Sequence, residues 1–180
     1  MREIGVEYHP FGSFLPPNVA YLIVGTFPGR QFSQRSAAEN IADVTAFSYG
    51  GRNQFWKIIE KIYNVNLPTR SDKQQLLTDK NIGLMDLIAA CSRKNQSNLD
   101  NDLVDIVWNK AAFEAIFKEK EIKMVYCTGE GVAKIFTMWF PQMPCIALPS
   151  PSPRAANRAF EEKIAFYKAV LPDINRDVSG

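Results

Sequence analysis

A chain of 180 residues, 46% of them hydrophobic, can fill one core and falls short of what two domains need, so a single domain over 1–180 is expected. Its apolar runs are far below the ~18 residues that span a bilayer, and no basic-then-apolar leader opens it, so the expectation is a cytoplasmic protein with no membrane partner. One histidine and three cysteines spread along the chain (Cys91, Cys127, Cys145) exclude a histidine-rich metal site and a paired-cysteine framework, while a net charge of +2 is too small to indicate nucleic acid by itself.

Residues 1–19 carry Pro10, Pro16 and Pro17 among aromatics and predict an extended arm lying across the body. His9 stands in that arm, away from any evident nucleophile, so a Ser-His-Asp triad would have to recruit it from there. Tyr21-Leu22-Ile23-Val24 is continuously apolar and predicts a first strand over 20–25, covered on both faces. Residues 30–50 are polar and mixed, which suits a long functional loop or a broken helix. From Asn53 to Tyr63, apolar residues at 55, 56, 59, 62 and 63 have helical spacing. A short helix around Lys73 to Leu77 precedes a second strand, Ile82 to Asp86. Polar residues Ser92 to Asn98 then lead to a helical region ending in Asn109 to Lys118, where Ala112, Phe113, Ile116 and Phe117 share a face. Lys123 to Cys127 is a third strand, and Gly129-Glu130-Gly131 opens a helix with Val132, Ile135, Phe136 and Trp139 on one side. Cys145 to Leu148 is a fourth strand, followed by a helix over about 155–171. Strands alternating with helices predict an α/β domain, a small parallel sheet with helices on both faces.

Two loops follow buried strands: Gly25-Thr26-Phe27-Pro28-Gly29 after the first, and Leu148-Pro149-Ser150-Pro151-Ser152-Pro153-Arg154 after the fourth. In one parallel sheet both would open on the carboxyl edge and form the jaws of a cleft. The first loop lacks the spacing of a dinucleotide fingerprint or a P-loop, and a tight strand-to-loop turn is its plain alternative. In the second, three prolines fix φ and hold Ser150 and Ser152 in a stiff loop whose hydroxyls and N–H groups can grip a phosphate; a proline-rich connection capped by a serine is the alternative. Asn53, after Tyr49-Gly50-Gly51-Arg52, is either a helix cap or an amide facing the cleft, able to orient a water or read a base edge but not to act as a general base. Arg30, Arg35, Arg52, Arg93, Lys94, Arg154 and Arg158 outnumber their acidic neighbours Glu39, Asp43 and Asp100 on these loops, which fits an anionic partner or a solvated basic rim.

In order along the chain, His9-Pro10-Phe11, Gly25-Thr26-Phe27-Pro28-Gly29, Tyr49-Gly50-Gly51-Arg52-Asn53-Gln54-Phe55-Trp56, Leu84-Met85-Asp86-Leu87-Ile88-Ala89-Ala90-Cys91, Ser97-Asn98-Leu99-Asp100 and Leu148 to Pro153 together resemble the uracil-DNA glycosylase superfamily, and within it the hypoxanthine-DNA glycosylase branch. The resemblance implies a three-layer sandwich around a four-stranded parallel central sheet flanked by helices. It also implies removal of a deaminated base from DNA, the nucleotide being flipped into a pocket and stacked on an aromatic ring. Phe27 stands where many members have Asp or Asn, and Leu148 where many have His or Asn. Both departures are similar to the hypoxanthine-type branch, in which the Asn of the N-x-F-W helix is the polar catalytic group; that role falls on Asn53. The loop before Asn53 is one residue shorter than the common pattern, and residues 30–46 are longer.

The expectation is therefore a monofunctional DNA glycosylase acting on hypoxanthine, uracil or both in double- or single-stranded DNA, as a monomer, with water as nucleophile and no metal or cofactor. Asn53 is the first catalytic candidate and Asp86 the second, to hold water, unless Asp86 is structural. Gly25, Thr26, Phe27, Pro28, Gly29 and Tyr49 form the base pocket, with Phe27 or Tyr49 stacking on the base. Arg52, Ser150, Ser152, Pro153 and Arg154 hold the DNA. Two other readings stay open: a catalytically silent damage-sensing module of the same fold, and a small-molecule hydrolase using Ser150 or Ser152.

Overall fold

The computed structural model describes residues 5–94, 97, 99–155 and 158–173. Asn98 and residues 156–157 of the expected last helix lie outside them. In chain order the elements are β1 (Glu7–Tyr8), β2 (Tyr21–Gly25), α1 (Arg30–Ser33), α2 (Ala37–Ala42), α3 (Phe55–Tyr63), α4 (Arg70–Asp79), β3 (Ile82–Asp86), β4 (Ile88–Arg93), β5 (Leu103–Trp108), α5 (Lys110–Glu119), β6 (Met124–Cys127), α6 (Glu130–Trp139), β7 (Cys145–Ala147) and α7 (Phe160–Val170).

Four strands pair in parallel in the order β3-β2-β6-β7. Residues of β2, β3 and β6 are largely buried because alternate side chains of one strand feed opposite cores, while those of the edge strand β7 are half-buried. Leu22 and Val24 of β2 point into a cluster with Phe113, Val125 and Phe136 beneath α5 and α6. Ile23 points the other way, into a cluster with Phe55, Ile59, Leu77 and Tyr167 beneath α3, α4 and α7. This is the three-layer arrangement. Pairing β6 with β7 brings two cysteines distant in sequence together, with Cys127 and Cys145 Sγ atoms 3.3 Å apart.

A second sheet, antiparallel and ordered β1-β4-β5, corrects the sequence reading, which ran a helical region up to Asn109. β5 has no clean alternation because Asp105 sits at φ 49° in a bulge that shifts its register against β4, and Val107 and Trp108 at this edge are exposed. The chain passes from β3 to β4 through Leu87 alone, so Asp86 stands where the two sheets meet. Leu87 N–H donates to the Gly25 carbonyl and Ile88 N–H to that of Thr26, while Asn109 N–H donates to Leu87. Residues 30–50 form the two short helices α1 and α2, the latter started by a reciprocal Ser36–Glu39 capping box. The N-terminal arm lies over the body: β1 pairs with β4, His9 N–H donates to Ala89, and Phe14 bridges to Leu84. No helix among the described residues is long and apolar enough to cross a membrane.

Candidate functional site

The carboxyl ends of β2 and β3 lie side by side, Gly25 pairing with Asp86. A Cβ on Gly25 would collide with Asp86 Oδ1 and come within 2.7 Å of the Tyr49 hydroxyl, so a glycine is what lets these two polar groups approach. Tyr49 holds a left-handed φ of 53° and lays its ring on Phe55, centroids 4.2 Å apart. Its hydroxyl is buried without a well-formed hydrogen bond. Burial, then the Asp86 charge, pushes its pKa well above the ordinary tyrosine value, with Thr128 acting weakly in the other direction.

His9 is the residue whose role the sequence did not reveal. Far from standing apart, it places Nε2 2.8 Å from Asp86 Oδ2, both side chains being almost out of solvent at 10% and 11% exposure. The Phe27 ring meets the imidazole edge-on at 5.9 Å. One signal pointed to it: a carboxylate ending a buried strand needs a partner, and the arm holds the chain's one imidazole.

The loop over Gly25–Gly29 is held from below. Arg93, expected on a basic rim, is instead buried, donating to the Pro28 carbonyl at 3.0 Å and pairing with Glu7 at 2.9 Å. Its guanidinium lies 5.8 Å from the centre of the Phe27 ring. The Gly29 carbonyl accepts the N–H groups of Phe32 and Ser33 in α1, and burial raises the Asp100 pKa with Thr26 acting in the other direction. Among the described residues the N–H groups of Phe27 and Gly29 have no acceptor, and Pro28 has no N–H to offer.

Asn53 Oδ1 accepts the Phe55 N–H at 2.9 Å in the first turn of α3. The amide is thereby oriented: its oxygen faces the helix, and Nδ2, with no partner among the described residues, faces away. A bond to the helix start and a donor without a partner thus coexist in one half-buried side chain. The next residue ties this helix start to the second jaw, Gln54 N–H donating to the Pro151 carbonyl at 2.8 Å. Buried Lys163 donates to Gln54 Oε1 at 3.0 Å and to the Ser152 carbonyl at 3.2 Å, and the Tyr167 hydroxyl holds the Pro149 carbonyl at 2.9 Å. Ser150 Oγ accepts the Ser152 N–H, and Ser152 Oγ the Arg154 N–H, each at 3.3 Å, leaving both hydroxyl protons to donate outward. Arg52, Pro153 and Arg154 are exposed.

Asp86 therefore joins two groups, Gly25 and Tyr49 beside Oδ1 and His9 with Phe27 beside Oδ2, while Asn53 joins Ser150 and Ser152 through Gln54. No hydrogen bond or ion pair links Asn53 to Asp86 among the described residues, and neither serine bonds to His9. A pocket of about 220 Å³ opens on Asp86, lined by His9, Gly12, Ser13, Ala89 and Asn109.

The sequence model of the Uracil DNA glycosylase superfamily matches residues 12–175. The solution structure of a candidate uracil DNA glycosylase from Methanosarcina acetivorans is similar in fold, with a TM-score of 0.62 at 20% identity over 92% of this chain and 96% of that one. No curated protein sequence is significantly similar to the chain.

Proposed function

The chain belongs to the uracil DNA glycosylase superfamily, and on that premise we propose that it is a monofunctional DNA glycosylase that hydrolyses the N-glycosidic bond of a deaminated base. The observation that carries the reading is Asn53: an amide whose oxygen is committed to the helix and whose Nδ2 is free to donate. When the bond from the sugar C1′ to the base nitrogen breaks, the electron pair leaves with the base and positive charge remains on the sugar. Donors aimed at the base carbonyl stabilise that developing anion. Asn53 Nδ2 and the open N–H groups of Phe27 and Gly29 supply them. Water adds to C1′ and passes its proton to the Asp86 carboxylate, the base anion is protonated from solvent as it leaves, and the DNA phosphates stabilise the sugar cation.

Phe27 and Tyr49 offer aromatic surface for a flipped base, and Ser150, Ser152, Arg52 and Arg154 offer donors to the flanking phosphates. No metal or cofactor enters these steps, and one copy of the chain carries all the named groups. A serine-based hydrolase is less well supported, because neither loop serine has a base beside it.

A bicyclic base stacks more surface than a pyrimidine, and with an apolar Phe27 in the first loop the site relies on stacking and edge hydrogen bonds. Hypoxanthine is therefore expected to leave at least as fast as uracil, and mispaired lesions faster than paired ones. Single-turnover excision from duplexes carrying one hypoxanthine or one uracil in the same sequence context tests this. Removal of uracil about tenfold faster than hypoxanthine overturns the preference. Binding without excision of either base returns the chain to a silent damage sensor.

A further inference from the structure

We infer that His9 is a positioning residue for Asp86, holding one carboxylate oxygen fixed so that the other faces the attacking water; the inference rests on the glycosylase reading above. Both nitrogens of the ring are committed. Nδ1 accepts the Gly12 N–H at 2.9 Å and the Phe11 N–H at 3.3 Å, so its lone pair is in use and the ring proton sits on Nε2. That proton is donated to Asp86 Oδ2 at 2.8 Å, in a setting where little water competes.

Asp86 is held at three points. His9 takes Oδ2, Asn109 Nδ2 donates to its backbone carbonyl at 3.1 Å, and parallel pairing with Gly25 fixes its backbone. Oδ1 has no hydrogen bond among the described residues and lies against Gly25, at the edge where the β2 loop begins. A pocket of about 220 Å³, lined by His9, Gly12, Ser13, Ala89 and Asn109, also reaches Asp86 and exceeds the ~30 Å³ share of a water molecule several times over. A carboxylate with one oxygen anchored and the other without a hydrogen-bond partner can align a water for attack without first reorganising.

A mere tether for the arm makes a different prediction from a positioning group. Single-turnover excision from the better of the hypoxanthine and uracil duplexes is measured for the wild type, His9→Ala, His9→Gln, Asp86→Ala and the double variant His9→Ala/Asp86→Ala. Gln can place its Nε2 donor where the imidazole Nε2–H stood. The expected result is a loss of about tenfold or more in His9→Ala at unchanged duplex affinity, recovery of most of the rate in His9→Gln, and no further loss when His9→Ala is added to Asp86→Ala. Wild-type rates in His9→Ala, or an equal loss on top of Asp86→Ala, overturn the proposal. If His9→Ala does not fold, ¹⁵N-histidine NMR decides, because the chain has a single histidine. The wild type should show a protected proton on Nε2 that is lost in Asp86→Ala, and a proton on Nδ1 or rapid exchange in the wild type overturns it. Absence of excision from every duplex overturns the glycosylase reading and the water with it, and the spectrum then decides separately whether His9 holds Asp86.

Discussion

The backbone N–H of Gln54 donates to the carbonyl of Pro151 at 2.8 Å, so the helix start carrying Asn53 and the loop carrying Ser150 and Ser152 are stitched into one unit. Lys163 adds a second stitch through Gln54 Oε1 and the Ser152 carbonyl. The amide that would meet the base and the hydroxyls that would meet the backbone thus keep a fixed spacing.

Lys163→Met keeps the buried stem and removes both bonds. Leaving the two acceptors unpaired should cost about 1–3 kcal/mol of stability and weaken duplex binding, read from thermal melts and fluorescence anisotropy. Unchanged binding would show that the spacing of the jaws does not depend on this residue.

Asn53→Asp separates capping from chemistry, since Asp caps a helix as well as Asn but offers no donor. The variant should melt within about 1 kcal/mol of the wild type. Its single-turnover excision should fall by about 10²–10³-fold, the usual cost of removing one donor to a developing anion. Wild-type excision by a folded Asn53→Asp removes Asn53 from the mechanism.

Arg154 projects from the Ser-Pro loop into solvent, its backbone held by Ser152. Arg154→Ala should weaken binding to all duplexes alike and reduce the dependence of log K on log salt by roughly one counterion. Parallel salt plots for the two proteins rule out a phosphate contact.

Glu7 and Arg93 lock the underside of the Gly25–Gly29 loop. Burial by itself raises the Glu7 pKa, but hydrogen bonds from Ser33, Gln34 and Arg93, with the Arg93 charge, outweigh it and hold the carboxyl below its ordinary 4.5. A depressed carboxyl pKa contributes stability that is complete above the unfolded value and lost as pH falls through the folded one. Melting temperature should therefore fall on acidification below 4.5, less steeply in Glu7→Gln. Glu7→Ala at neutral pH strands a buried guanidinium and should cost about 3–5 kcal/mol.

Gly25→Ala puts a methyl group where Asp86 Oδ1 and the Tyr49 hydroxyl now lie. Overpacking there should cost about 1–3 kcal/mol and slow excision by more than it weakens duplex binding.

The parallel sheet was legible because β2, β3, β6 and β7 are short apolar runs ending in glycine, proline or polar residues, a pattern that burial on both faces imposes. Its loops were legible because proline fixes φ and glycine admits close backbone approaches and turns. The antiparallel sheet was not: Asp105 breaks the alternation of β5, and its exposed edge keeps Val107 and Trp108 in solvent, so the pattern carries no face. Arg93 read as a rim cation because its partner Glu7 lies 86 residues away, and His9 read as isolated because Asp86 lies 77 residues away. Local patterns report which face of a strand is buried. They do not report which distant side chain closes a charge pair.

The arm that carries Glu7 and His9 can dock only after β3 and β4 exist to receive it. Those contacts close loops of 77 and 86 residues, so the arm is held by partners distant in the chain. With the arm undocked, Asp86 would lose the partner of its Oδ2, and on the glycosylase reading the N-glycosidic bond would be cut poorly. On that reading, the N-terminal arm couples the state of the chain's beginning to the chemistry at the far end of β3.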